Sequence, residues 1–331
     1  MPRIVSLLPA GTEWVAALGL LDDLVGVTFE CDHPPGVRSG RAVVVTGLPL
    51  TTVDGDPMTP SEIDARVRAA VTAGRPLYTL DDATVRALAP DVVITQDLCH
   101  VCALPASAAQ EALVRTGRPA RVVTLDPTRL GEVLDGATAV ADACGVPATG
   151  AGLRTALQDR LDRVRAQVRA TGGGRPRVLA LEWIDPPFLP GHWVPDLLTA
   201  AGAVPVLAAP GGRSTVTGWD VVASAGLDAV LVAPCGFGLA DAVEQARQVV
   251  QRVPAGVPVW AVDAGAVVTR PGPRLVDGVE ALAATWHPGA GVPRPDLVAL
   301  VGVGTGPAGS SAGSGRTDSG KNAGGPYAGS A

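Results

Sequence analysis

Short apolar runs alternate with helical patterns along the first half of the chain. The strand-like runs are Arg3–Leu8, Leu24–Thr28, Asp91–Gln96 and Arg121–Leu125. Apolar residues at helical spacing occupy Thr12–Leu18, Ser61–Val71, Asp82–Leu88, Ala106–Thr116 and Arg129–Cys144. Strands that alternate with helices form βαβ units, in which the strands lie side by side in a largely parallel sheet. The pattern therefore predicts an α/β lobe over residues 1–145.

The alternation stops at a long polar segment with a single apolar stripe. Five apolar side chains recur there at steps of three or four residues, which places them on one face of a helix. They are Leu153, Leu157, Leu161, Val164 and Val168. The helix is predicted to run from Ala151 to Ala170 and to end before Gly172, Gly173 and Gly174. Residues 146–174 are therefore predicted to connect two lobes.

The alternation of strands and helices resumes after Pro176. The strand-like runs are Arg177–Trp183, Asp228–Ala233 and Pro258–Val262, and the helical patterns are Pro195–Ala201, Trp219–Ala225, Ala240–Arg252 and Arg274–Trp286. We predict an α/β fold of two Rossmann-like lobes with mainly parallel sheets, the second lobe covering residues 175–290. Residues 291–331 are predicted to be a low-complexity, disordered tail, because Gly and Ser dominate from Gly302 onward.

Charge and composition exclude several classes of partner. The formal net charge is −6 and Lys321 is the only lysine, so we expect no binding of nucleic acid or anionic lipid. No run approaches the roughly 20 apolar residues of a membrane-spanning helix. The opening residues lack the apolar segment of a secretory leader. As written, the chain is expected to be a cytoplasmic monomer; a true start further upstream would make it extracytoplasmic.

Four of the five cysteines follow the ends of predicted strands: Cys31, Cys99, Cys102 and Cys235. Ligands bind at the carboxyl ends of the strands in an open α/β sheet, so these thiols are expected to converge on one cleft. The spacing of Cys99 and Cys102 suits zinc or another thiophilic metal. A redox pair and structural thiols lining a turn are the alternatives. Cys144 is expected to be a small buried residue.

Other ligand-type residues surround these thiols. Glu30, Asp32 and His33 flank Cys31 and precede two prolines. The arrangement suits a binding loop, and the alternative is a polar loop in which Asp32 caps the backbone.

Aromatic residues make up only 3% of the chain, yet they gather in the second lobe. Three of the six tryptophans and one of the three phenylalanines fall between Trp183 and Trp219. Large flat side chains beside a cleft suit a planar, largely apolar ligand; sealing the lobe interface is the alternative. His192 is a candidate metal ligand through its neutral imidazole, or a hydrogen-bonded structural residue.

Arg270 and Arg274 frame a turn that contains two prolines and one glycine. Two guanidinium groups at a helix start suit a bidentate clamp on a phosphate or carboxylate. The alternative is that Arg274 pairs with Asp277 or with a carboxylate of the other lobe. The chain contains no phosphate-binding loop and no convincing Ser/His/Asp set.

Particular motifs of the sequence resemble those of a known family. The opening Arg3–Glu13, the segment Leu88–Ile94 and the long helix between two lobes resemble the cobalamin and iron-chelate substrate-binding proteins of ABC importers, which form the helical-backbone class of periplasmic-binding proteins. The resemblance covers residues 3–287. Shorter segments resemble the cobalamin-binding branch of that family: Glu30–Pro34, Thr95–Ala103, Glu182–Trp183, Pro234–Gly238 and Arg270–Arg274.

The resemblance implies that a cobalamin-like corrinoid or another metal chelate is held between the lobes, with limited hinge motion, and passed to an ABC permease. Family members usually carry a signal peptide or lipid anchor. The expected ligand contacts are Glu30, Cys31, Asp32, Cys99, Cys102, Glu182, Trp183, His192, Trp193, Cys235, Phe237 and Arg270. Trp183, Trp193 and Phe237 are expected to pack against the macrocycle.

The metal of the chelate is expected to meet one of the nitrogen or sulfur ligands. These are Cys31, Cys99, Cys102, Cys235 and His192. The alternative function is a cytoplasmic enzyme or metal carrier that holds zinc or an iron–sulfur centre on the Cys/His cluster. A binding protein, not an enzyme, is the preferred prediction.

Overall fold

The computed structural model describes residues 2–48, 56, 58–97, 107, 110, 111, 113 and 120–306. The first lobe is built on a six-stranded sheet in the order β4-β3-β2-β1-β5-β6. Its strands are β1 Ile4–Ser6, β2 Leu24–Thr28, β3 Ala42–Gly47, β4 Tyr78–Leu80, β5 Val92–Thr95 and β6 Arg121–Thr124. All neighbouring pairs are parallel except β3 and β4. The predicted parallel sheet is confirmed.

Helices cover the first sheet, and their ends follow local sequence rules. They are α1 Pro9–Ala17, α2 Pro60–Thr72, α3 Asp82–Leu88 and α4 Leu130–Cys144, with a 3-10 turn at Leu21–Asp23. Thr59 and Glu62 form a reciprocal capping box that satisfies backbone N–H groups at the start of α2. Gly145 ends α4 with φ of 77°, a conformation that costs glycine little. Most of the helix predicted near residues 106–116 lies outside the described residues.

The connecting helix α5 spans Pro147–Ala170. Leu157, Leu161 and Val164 are buried, and Leu153 and Val168 pack against the same core, so the predicted stripe is the buried face. This face packs against α4 of the first lobe and against two helices of the second, as an amphipathic helix between two layers must.

The second lobe has a five-stranded sheet in the order β10-β7-β12-β13-β14 and a small antiparallel sheet in the order β11-β9-β8. Its strands are β7 Arg177–Leu181, β8 Trp183–Ile184, β9 Pro187–Leu189, β10 Val204–Pro205, β11 Thr215–Val216, β12 Ala229–Val232, β13 Pro258–Val262 and β14 Val298–Val303. Its helices are α6 Val194–Ala200, α7 Trp219–Ser224, α8 Leu239–Val250, α9 Ala264–Val267 and α10 Leu275–Trp286.

The structure corrects the start of the predicted tail. Residues 298–303, which fall inside the predicted tail of 291–331, form β14 and pair antiparallel with β13. The physical reason is the apolar run that begins at Leu297, which is long enough to complete the sheet edge; Leu297 and Val298 are both buried. Residues 307–331 lie outside the described residues.

One hydrophobic core runs through both lobes. It joins Trp14 of α1 and Leu134 of α4 to Leu161 of α5, and continues into Leu197 and Leu282 of the second lobe. Two smaller clusters each lie within a single lobe. A large apolar interface opposes relative motion of domains, so the shared core holds the lobes in one arrangement. Within the described parts of the chain, no helix is both long and apolar enough to cross a membrane.

Candidate ligand-binding cleft

The carboxyl ends of both parallel sheets meet where the lobes face each other. Glu30 and Asp32 lie just beyond β2 of the first lobe. Arg270 lies in the loop between α9 and α10, beyond β13 of the second lobe. Arg270 bonds Asp32 across the gap, at 2.5 Å from Nη1 to Oδ1 and 3.0 Å from Nη2 to Oδ2. The two edges therefore form opposite walls of one cleft.

A second carboxylate, Glu13 of α1, also pairs with the second lobe. Its Oε1 lies 3.5 Å from Arg270 Nη1 and 3.4 Å from Arg274 Nη1. The alternative in which Arg274 pairs with a carboxylate of the other lobe is therefore confirmed. Both guanidinium groups of the turn are engaged by carboxylates of the protein itself. We refer to Glu13, Asp32, Arg270 and Arg274 as the cross-lobe ion cluster.

Glu13 is the most buried member of this cluster, with a side chain only 1% exposed. Burial raises its pKa to about 7, and the charges of Arg274 and Arg270 only partly oppose that rise. Its Oε2 has no hydrogen-bond partner among the described residues. A side chain at Gly272 would place Cβ 2.8 Å from this oxygen, so the turn approaches Glu13 closely only because it carries glycine.

The residues around Cys31 differ in charge state. Burial raises the pKa of Glu30 to about 7, against the opposing charge of Arg270. Burial acts in the same sense on Asp32, but the hydrogen bonds and charge of Arg270 outweigh it and hold the pKa of Asp32 below its usual value. Burial and the charge of Arg274 lower the pKa of His33, which keeps its imidazole neutral at neutral pH.

The described cysteines lie in different environments. Cys31 is 1% exposed and belongs to the hydrophobic core, where its Sγ lies 3.1 Å from Thr12 Oγ1 and 3.4 Å from Thr28 Oγ1. The structure therefore places the expected ligand Cys31 inside the first lobe, because its apolar neighbours and two hydroxyl groups satisfy it there. Cys235 is exposed. Cys99 and Cys102 lie outside the described residues.

Cys144 is buried as expected, and burial raises the pKa of its thiol to about 11. Within the part of the chain that the structure describes, no group of three or more His, Cys, Asp or Glu side chains is placed to hold a metal ion.

Two aromatic residues from separate segments form the wall of the second lobe. The rings of Trp183 and Phe237 lie 5.8 Å apart between centroids, with 48° between their planes. They meet because β7 and β12 are parallel neighbours, with Leu181 opposite Val232. Both rings are partly exposed, and Trp183 Nε1 is held by a 3.1 Å bond to the carbonyl of Asp185. This geometry leaves a partly exposed apolar surface at the carboxyl edge of the second sheet.

The neighbouring residues that were expected to contact the ligand interact with other parts of the protein. Trp193 is 5% exposed in the shared core and donates from Nε1 to the carbonyl of Val268 at 2.8 Å, which removes it from the expected wall. It is buried because it starts α6 on that core. Glu182 accepts a 2.6 Å bond from Ser214 Oγ. His192 is half-buried beside Trp193, and burial, with the charge of Arg213, lowers its pKa.

Sequence reasoning missed two residues at the seam between the lobes. Glu13 was not among the candidates, and neither was Trp14, which is fully buried and donates from Nε1 to the carbonyl of Pro271 at 3.0 Å. The available signal was that Glu13 is the one charged residue in the α1 segment. A bidentate bond from Arg129 to Asp196 closes the same seam further along.

Two α/β lobes joined by one helix, with both sets of strand ends facing a common cleft, define the helical-backbone class of ligand-binding proteins. The family model described as periplasmic binding protein matches residues 4–273, and the chain belongs to this family. The family comprises binding proteins, so the enzyme or metal-carrier alternative is not supported, and neither is the expectation of a cytoplasmic protein. No curated protein matches the chain.

Solved structures show the same fold at low sequence identity. A periplasmic heme-binding protein from Pseudomonas aeruginosa is 23% identical, with a TM-score of 0.66 over 92% of this chain and 100% of that one. A periplasmic vitamin B12-binding protein of Vibrio cholerae is 19% identical, with a TM-score of 0.60 over 86% and 95%. A periplasmic heme-binding protein from Roseiflexus sp. RS-1 is 21% identical, with a TM-score of 0.61 over 87% and 99%.

Proposed function

We propose that the protein binds a planar metal chelate, with a cobalamin-like corrinoid as the first candidate, in the cleft between its lobes. The observation that carries the proposal is the Trp183–Phe237 pair at the carboxyl edge of the second sheet. Partly exposed rings at this edge suit a flat macrocycle, and the related structures include heme-binding and vitamin B12-binding proteins. As a family member, the protein acts outside the cytoplasm in this proposal and delivers its ligand to an ABC permease.

The cleft offers few described groups for the metal of the chelate. Cys235 is an exposed thiol two residues before Phe237, and its backbone N–H bonds the carbonyl of Glu182 at 3.1 Å. His192 presents a half-buried, neutral imidazole, the form that ligates metals. In the proposal either residue approaches the metal while the aromatic pair carries the macrocycle. Cys99 and Cys102 stay candidates on sequence grounds.

Titration of the purified protein with cyanocobalamin, dicyanocobinamide and hemin tests this function. We expect at least one chelate to give a saturable change in its absorption spectrum and to raise the melting temperature, because a ligand that binds only the folded state stabilises it. No spectral change and no thermal stabilisation with any of the three would overturn the proposal.

A pair of tryptophan variants localises the binding. Trp183→Ala is expected to lower the affinity for the chelate at least about tenfold, since it removes one of the two rings of the aromatic pair. Trp219→Ala is the matched control: Trp219 lies in the same lobe but stacks with Arg252, whose Cζ is 5.1 Å from its ring centroid. Equal affinity in the two variants would contradict a site at the aromatic pair.

A further inference from the structure

We define the rim of the cleft as Glu30, His33 and the cross-lobe ion cluster, and carboxyl groups outnumber guanidinium groups there. Three carboxyl groups, Glu13, Glu30 and Asp32, interact with only two guanidinium groups, Arg270 and Arg274. His33 at the same rim is neutral at neutral pH because its pKa is lowered. Because the pKa of Glu13 and of Glu30 is about 7, both are mostly ionised only above that pH, where the rim holds one more negative charge than positive charge.

The two arginines are not free to receive an anionic ligand. Both terminal nitrogens of Arg270 donate hydrogen bonds to Asp32, and Arg274 donates to the buried Glu13. An incoming carboxylate would have to displace Asp32 from a charge-assisted, bidentate pair, leaving that group without its partner. Displacement exchanges one carboxylate for another at the guanidinium group. Above about pH 7 it also adds a negative charge to a rim whose net charge is already negative.

Glu30 is the member that a ligand can engage directly. Its carboxyl group makes no side-chain hydrogen bond to any described residue, whereas Asp32 and Glu13 are tied to arginines. It lies just beyond β2 of the first lobe, whereas the aromatic pair belongs to the second lobe. An ionised carboxylate accepts hydrogen bonds and donates none, so it pairs with N–H groups and repels other carboxylates.

We propose that Glu30 and Asp32 are specificity determinants that select a chelate with neutral carboxamides on its periphery and reject one with ionised carboxylates. Glu30 accepts from a carboxamide N–H of the ligand, and Asp32 keeps Arg270 occupied. The discrimination comes as much from repulsion of the wrong ligand as from attraction of the right one. This inference rests on the proposed function and narrows its ligand to amide-bearing corrinoids.

Two corrins with contrasting peripheries provide the test. Dicyanocobinamide carries carboxamides, whereas dicyanocobyrinic acid carries carboxylic acids on the same ring system. The test is made at pH 8, where the peripheral acids are ionised and Glu30 is ionised in most of the molecules. We expect the amide form to bind at least about tenfold more tightly than the acid form, because one unfavourable charge contact near a protein surface has about that effect.

Variants assign the effect to the rim. Glu30→Gln is expected to narrow the ratio of the two dissociation constants about tenfold, mainly through tighter binding of the acid. Asp32→Asn is expected to narrow the ratio as well, because it frees Arg270 for the acid. Glu244→Gln, which removes the same charge from an exposed pair with Arg247 on α8, is expected to leave the ratio unchanged.

The outcomes separate this inference from the proposed function. Equal or tighter binding of the acid by the wild type would overturn the selectivity and leave the chelate site standing. A Glu30→Gln variant that weakens both corrins equally would also overturn it, since a structural role predicts that result. If neither corrin binds, the corrinoid assignment and this inference both fail.

Discussion

The two walls of the cleft are the same kind of sheet edge, yet they carry different chemistry. The wall of the first lobe presents Glu30 and Asp32, and the wall of the second presents Trp183 and Phe237. Apolar contact is non-directional and supplies affinity, whereas charge contacts discriminate between ligands. In the proposed function this difference corresponds to a division of roles, in which the second lobe packs against the macrocycle and the first contacts its periphery.

A further contrast separates the walls from the seam between the lobes, where Trp14 and Glu13 contact the loop Arg270–Arg274. Trp14 is fully buried and bonds Pro271 across the seam, while Trp183 is partly exposed. Residues of the seam are expected to govern folding, and residues of the walls to govern binding.

The largest effect is expected for Trp14→Ala. Removal of a fully buried indole from the shared core costs about 3–5 kcal/mol in the free energy of unfolding. Trp183→Ala is expected to cost much less, because its ring is partly exposed. Urea denaturation followed by circular dichroism measures both variants. Similar losses would contradict the separation of seam and wall.

A smaller effect is expected from the titration of Glu13. Its pKa is raised in the folded protein from 4.5 to about 7, so the folded state binds the proton more tightly than the unfolded state. The stability gained by protonation is therefore complete below about pH 4.5 and is lost as the pH rises through about 7, by an amount on the order of 3 kcal/mol.

Comparison of the wild type with Glu13→Gln isolates this group from others that titrate nearby, among them Glu30 and His33. The variant is expected to be the more stable of the two at pH 8 and to lose that advantage at pH 5. Denaturant unfolding at each pH gives the difference, with Glu244→Gln as an exposed control. A difference that does not change with pH would show that Glu13 titrates normally.

The smallest effect is expected for Arg270→Met. This change leaves Asp32 and the buried Glu13 without one of their cations, at a cost of about 2 kcal/mol. Arg247→Met is the matched control in an exposed pair with Glu244, where about 0.5 kcal/mol or less is expected. Unfolding free energies at pH 8 measure both. Equal costs would mean that the cross-lobe ion cluster adds no more than a surface pair.

Apolar runs in the sequence predicted most of the central strands of the two sheets, but not every strand. β3 and β14 have six residues each and were not predicted, and the short strands β4 and β10 were missed as well. Leu24–Thr28 and Pro258–Val262 are strands with the predicted bounds, because each is a buried run of five residues. β8, β9 and β11 have two or three residues each, too few to show a period of two. Their pairing depends on contacts made only after the lobe has folded.

The site was less predictable than the fold because its members are distant in sequence. The pairing of Trp183 with Phe237 requires β7 and β12 to be neighbours, which no local pattern reveals. Trp193 belongs to the same aromatic-rich stretch of the sequence as Trp183, but its side chain is buried in the core. Glu13 lies within an apolar helix, and its role depends on arginines more than 250 residues away.

The structure of the complex with dicyanocobinamide tests the central claim most directly. We predict that the corrin ring lies between the lobes, within van der Waals distance, roughly 3.5–4.0 Å, of the Trp183 or Phe237 ring, with a carboxamide directed at Glu30. A corrin that lies in the cleft without touching either ring, or that binds outside the cleft, would contradict the account.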